Sequence, residues 1–225
     1  MGDYAPLLTG VGTSGSQQLA QGMHIMLVLT LLSLAPTILV LTTSFTRIII
    51  VLTFLRQALG TPSIPPNMVL IPLALFLTLL SMGPTVDRVY KEALEPALQG
   101  RLQPLQAYEK AAVPLREFMH RNTRQKDVDT LLMASKLPRP GSIQDVPDRI
   151  LIPAFVLSEL RMGFTMGFTL FLSFLAVDLV VAGILMTLGM FMVPPMSISL
   201  PMKILLFVLS DGWNLTTSSL LNSFR

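Results

Sequence analysis

The sequence predicts an all-α membrane protein, with four hydrophobic helical segments paired as hairpins around a hydrophilic helical insert. Three observations predict it. Of the 225 residues, 52% are hydrophobic and only 13% charged, about half the roughly 25% of soluble domains. The segment 87–150 holds 20 of the 29 charges, 11 basic and 9 acidic, which leaves nine for the other 161 residues. Finally, apolar runs near 20 residues recur on both sides of that segment, the length that crosses a hydrocarbon core of about 30 Å.

The elements follow in order. Residues 1–22 read as a flexible Gly/Ser/Gln-rich N-terminus, and Asp3 stands where a signal peptide would carry basic residues. No usual signal peptide is read there. The first hairpin covers 23–86, from the uncharged runs 23–43 and 67–86. Beyond Thr43 the chain stays apolar except for Arg47 and Arg56. As one helix, 23–59 would be about 55 Å long, so either it leaves the bilayer or Arg47 meets a partner, and Pro36 is a site for a kink. The insert, 87–150, reads as short helices broken by Pro96, Pro104, Pro114, Pro138, Pro140 and Pro147. Glu109/Lys110 and Arg116/Glu117 within it look like solvated faces. The second hairpin covers 151–225, with apolar runs over 162–188 and 202–221 and a Met-rich loop at 186–196. Basic residues in the short connections, Arg47, Arg56 and Lys203, favour placing those connections in the cytoplasm and the insert and termini outside.

Composition also excludes. With no cysteine there is no disulfide, thiolate nucleophile or Cys-ligated metal, and His24 and His120 lie far apart. No phosphate-binding loop motif is present, and a net charge of +3 is too small to suggest nucleic-acid binding. No cofactor and no enzymatic constellation is read from this chain.

The polar residues of the apolar half form patterns. At about 100° per residue, Gly163, Phe174, Gly167 and Asp178 fall about 40°, 60°, 80° and 100° from Glu159. Two acids and a G-x-x-x-G thus share one stripe, which suits close helix packing through Gly163 and Gly167. From Lys203, Ser210, Asn214 and Thr217 lie within about 40° and Asp211 about 80° away. Lys203 and Asp211 are about two turns apart, too far for a direct tie. Arg47, Glu159, Asp178, Lys203 and Asp211 therefore look like buried charges without partners inside the chain, a pattern that predicts polar contacts between subunits of an oligomer. Pro194, Pro195 and Pro201 predict a break in helix between the last two runs. The methionines there are adaptable side chains, suited either to an ordinary apolar environment or to a yielding seal. An alternative reading is a small ion or proton channel or transporter, with Asp178, Lys203 and Asp211 as an intramembrane relay.

Four long strings decide between these readings: TSFTRIIIVLTFLRQALGTPSIPPN (43–67), PLREFMHRNTR (114–124), LSELRMGFTMGF (157–168) and VDLVVAGILMTLGMFMVPPMSISLPMKILLFVLSDGW (177–213). They resemble the FliP/SctR family of type III export-gate proteins, over roughly residues 23–224 and in wording closer to its flagellar branch. The resemblance implies a non-enzymatic core component of a flagellar export apparatus in the bacterial inner membrane. It implies about five copies assembled with FliQ and FliR into a helical gate for unfolded substrates, displaced toward the periplasm, with the insert periplasmic. It further implies that Met186, Met190, Phe191 and Met192 form a gasket. Phe191 departs from the family, where many members carry methionine.

Overall fold

The computed structural model describes residues 36–136, 140–142 and 145–224, together with residues 22, 23, 26, 29, 30, 33 and 34. The chain forms two compact units, 1–40 and 41–225. In the first, every described residue from 22 to 40 has helical backbone. Met23, Met26, Leu29, Leu34, Ile38 and Leu39 are exposed there, while Thr30 and Ser33 return their hydroxyls to the carbonyls of Met26 and Thr30. The predicted apolar run 23–43 lies partly outside the described residues.

Among the described residues of the second unit, every regular element is a helix. The backbone turns at 42–44, and α1 (Phe45–Ala58) starts afresh. The single helix of about 55 Å considered for 23–59 is therefore not formed, and the break falls at 42–44 rather than at Pro36. α1 carries β-branched Ile48, Ile49, Ile50 and Val51, which are indifferent helix formers, so packing holds it. Arg47, Ile48, Val51, Leu52, Leu55 and Ala58 are buried at helical spacing. α1 ends in a Schellman turn: Gly60, at φ +78°, donates to Gln57 O and Thr61 donates to Arg56 O.

The 67–86 run is two helices, α2 (Asn67–Ser81) and α3 (Gly83–Val89). A π-helical turn (Tyr90–Leu94) and α4 (Glu95–Leu98) continue α3, and the arm from Gly83 to Leu98 bends 74° from α2. α5 (Pro104–Asn122) and α6 (Gln125–Ala134) complete the insert. Pro114 does not break α5 as expected, but lies buried inside it. Prolines are costly in a helix chiefly through a lost hydrogen bond and a clash, and tertiary packing overrides that cost here.

α7 (Asp148–Thr187) is the axis of the unit, 40 residues long, or about 60 Å. It begins 14 residues before the expected apolar run, with Asp148 in its first turn, where a carboxylate favours the helix dipole. Its N-terminal part is covered by the insert: Phe118, Met119, Val128 and Leu132 pack on Ile150, Leu151, Ala154 and Phe155. Its middle packs along α1. α8 (Pro195–Leu209) and α9 (Gly212–Asn222) complete the unit, bent 65° from each other. Pro201, expected to interrupt helix, lies inside α8. Leu220 of α9 closes the core formed by Ile48, Val51, Leu52, Leu70, Ala74 and Leu77. Among the described residues, α7 alone is long and apolar enough to cross a membrane, and there are up to three spans if each bent pair counts as one.

Candidate functional site: two internal ion pairs and an exposed methionine loop

The expectation that Arg47, Glu159, Asp178, Lys203 and Asp211 are buried charges without partners inside the chain is corrected: four form ion pairs within it, and the fifth, Asp211, is exposed and bonded to Asn214. Arg47 of α1 and Glu159 of α7 pair bidentately, Nε to Oε2 at 2.9 Å and the second nitrogen to Oε1. They are 2% and 0% exposed. The third guanidinium nitrogen of Arg47 donates to Ser223 O at 2.8 Å and to Ser223 Oγ at 3.0 Å. Phe224 lies 4.0 Å from the guanidinium, over its face, and stacks on Phe118 at 6.4 Å. One arginine thereby ties α1, α7 and the segment after α9 together. Burying two charges is expensive unless their remaining hydrogen bonds are made, and Arg47 makes them with a main-chain carbonyl and a hydroxyl. Ser223 and Phe224 escaped sequence reasoning. No short-range pattern marks them, because their partner stands 176 residues earlier.

The second pair lies at the other end of α1. Lys203 of α8, 5% exposed, donates to Asp178 Oδ2 at 2.6 Å and to Ala58 O at 3.1 Å. Ala58 ends α1, so the ammonium caps a helix C-terminus, where a cation is favoured. Asp178 Oδ1 is buried and has no hydrogen-bond partner among the described residues. Asp211, the fifth residue, is not brought to either pair. It sits exposed at the α8–α9 bend with φ +51° and accepts from Asn214 Nδ2 at 3.1 Å.

Between the pairs, Gly163 and Gly167 give α1 room to approach. A Cβ on Gly163 would stand 3.1 Å from Ile50, and one on Gly167 2.6 Å from the Phe54 ring. Ile50 and Phe54 are one turn apart, as are the two glycines, so two side chains of α1 seat over two gaps in α7. Phe54 also meets Phe164 edge to face at 5.3 Å. Phe174 packs with Phe207 beside Leu55 and Leu59.

The Met-rich loop is fixed at its base and bare at its tip. Gly189, at φ +74°, donates to Met186 O, and Met190 donates to Leu185 O, a second Schellman turn. Pro195 then starts α8, where its missing N–H is harmless. Between them Phe191 is 80% and Met192 95% exposed, and Met186, Met190 and Met196 are exposed as well. Among the described residues no group of three or more His, Asp or Glu side chains is placed to hold a metal ion.

The sequence profile of the FliP family matches residues 28–220. The chain is 49% identical over 212 residues to the flagellar biosynthetic protein FliP of Bacillus subtilis, covering 94% of this chain and 96% of that protein. It is 50% identical over 211 residues to the one from Pectobacterium carotovorum, covering 94% and 82%. Against the Aquifex aeolicus protein of the same name, identity is 43% over 213 residues, with 94% and 89% covered. On a match spanning nearly the whole of both chains, this protein belongs to the FliP family.

Proposed function

We propose that this chain is a core pore-forming subunit of a flagellar type III protein export gate in the bacterial inner membrane, through which unfolded flagellar proteins pass. Family membership and the relatives' role as flagellar biosynthetic proteins support the flagellar setting. The observation that carries the pore-forming role is the loop at 186–196, whose methionines and Phe191 stand exposed on a turn fixed at both ends. Apolar side chains gain by leaving water. Copies of the loop around an axis would bury one another's tips and close a channel to ions by dewetting. Methionine repacks at small cost, so a chain could still push through.

In this reading about five copies assemble with FliQ and FliR and other membrane proteins of the export apparatus, in a helical gate rather than a closed ring. The gate is displaced toward the periplasm, and the insert 87–150 is periplasmic. The paired charges Arg47–Glu159 and Lys203–Asp178 set the shape of one subunit. Asp211 and the unpartnered Asp178 Oδ1 are left for contacts between subunits. The test is ion conductance across the inner membrane after Met190, Phe191 and Met192 are together replaced by alanine. Leak rises while the assembly persists. An unchanged barrier in a correctly assembled variant places the seal elsewhere, and conduction by the purified chain alone, titrating with Asp178, favours an ion transporter instead.

A further inference from the structure

We propose that His120 is a proton-sensitive wedge in the insert, so that a proton on its ring loosens the junction between α5 and the first turns of α7. Both ring nitrogens, Nδ1 and Nε2, are buried and lack a hydrogen-bond partner among the described residues. A neutral imidazole carries one N–H donor, whereas the imidazolium carries two and needs acceptors for both. Among the described residues none is within hydrogen-bond reach. His120 stands one turn after Arg116 on α5, and the two side chains line the same cavity of about 480 Å³ with Val113, Glu117 and Arg121. Its neighbours Phe118 and Met119 are core residues packed on Ile150, Leu151, Ala154 and Phe155 of α7. A charge gained here therefore acts on the contact that seats the insert.

The surrounding charges compensate only in part. From its own helix, Arg116 repels a proton on His120, and from α7 only Asp148 attracts one. Asp148 is already engaged, accepting from Arg116 Nε at 2.8 Å and from its terminal nitrogen. Glu117 of α5 is held by Arg88 of α3, which also bonds Glu92 of the π-helical turn. Glu95 of α4 accepts from Gln99. Arg121 adds a further positive charge to the cavity wall. Burial first, and the Arg116 guanidinium second, push the imidazole below its ordinary value near 6.5. With the docked form titrating lower, the undocked form binds more protons between that lowered midpoint and pH about 6.5. Docking is then complete above that range and weakens as the pH falls through it. This inference is independent of any role in a pore.

The test is amide hydrogen exchange of the full-length, detergent-solubilised chain between about pH 7.5 and pH 5, corrected for the intrinsic pH dependence of exchange. Opening of residues 113–122 and 148–155 should rise about threefold or more toward pH 5 in the wild type and stay flat in His120→Gln and His120→Phe. A flat wild type, or the same slope in variants lacking the ring, overturns the proposal. The imidazole titration by NMR, assigned with His24→Gln, serves if the His120 variants fail to fold. A His120 midpoint below 6.5 supports the wedge, and one at or above 6.5 overturns it.

Discussion

Replacing Glu159 by glutamine tests the keystone of the second unit. The change is nearly isosteric, so α7 keeps its packing, but Arg47 keeps its charge at 2% exposure with no anionic partner, only Ser223, the Phe224 face and a neutral amide oxygen in place of the carboxylate. Breaking a buried pair by removing one partner costs about 3–5 kcal/mol, because the other charge is stranded. Against a total stability of about 5–15 kcal/mol, that is a loss of roughly 150- to 5,000-fold in the ratio of folded to unfolded chains. For a chain of this size each kcal/mol moves the melting temperature by about 2–4 °C, so Glu159→Gln should melt roughly 6–20 °C below wild type. The assay is thermal unfolding in mild detergent, read by far-ultraviolet circular dichroism. Adding Arg47→Met to Glu159→Gln removes the stranded charge and should return part of the loss, since replacing both partners of a buried pair is often nearly neutral. The unbonded Ser223 carbonyl keeps the rescue incomplete. A single variant within about 1 kcal/mol of wild type, or a double variant as unstable as the sum of its parts, would refute the reasoning.

Three further outcomes follow from the same geometry. Gly167→Ala should cost about 1–3 kcal/mol by overpacking against Phe54, and Gly183→Ala, whose Cβ would meet nothing within 4 Å, should stabilise by up to about 1 kcal/mol; chemical denaturation of the pair separates packing from helix propensity. Lys203→Met should destabilise less than Glu159→Gln, by about 1–3 kcal/mol, because Asp178 keeps partial access to solvent while Ala58 O loses its donor; a loss as large as that of Glu159→Gln would contradict this ranking. The Arg88 hydrogen bond, above all, holds the Glu117 carboxyl below its ordinary 4.5, so its contribution to the insert is present above that pH and disappears as the pH falls through the lowered value; in Arg88→Gln the acid sensitivity below pH 4.5 should shrink, as read by hydrogen exchange of α3 and α5.

The apolar runs and the charge-rich insert were legible because membrane insertion and solvation each impose a composition on a long stretch of chain. The face that Glu159, Gly163 and Gly167 share on α7 follows from spacing alone, whereas its partner, α1, does not, since Ile50 and Phe54 carry no mark that they seat over glycine. The ion pairs were missed for the same reason. Arg47 and Glu159 are separated by 112 residues, and a one-dimensional pattern gives the need for a partner without its identity. Prolines were read rightly at one break and wrongly at two positions. Gly189 and Pro195 do end one helix and begin the next, but Pro114 and Pro201 sit inside helices that packing sustains. The bend at Asp211 had no sequence signal stronger than the Asp-Gly pair, and its left-handed backbone is a conformation that aspartate tolerates better than most residues.

The central claim is that exported chains pass the tip of the 186–196 loop, and site-specific photo-crosslinking in cells tests it most directly. A photoreactive amino acid replaces Met192, 95% exposed, while a flagellar export substrate is stalled in transit; a second strain carries it at Leu75, on the exposed face of α2. The account predicts an adduct between the stalled substrate and position 192, dependent on the stall, and none from position 75. Substrate captured at 75 and not at 192, in an assembled and export-competent apparatus, would contradict it.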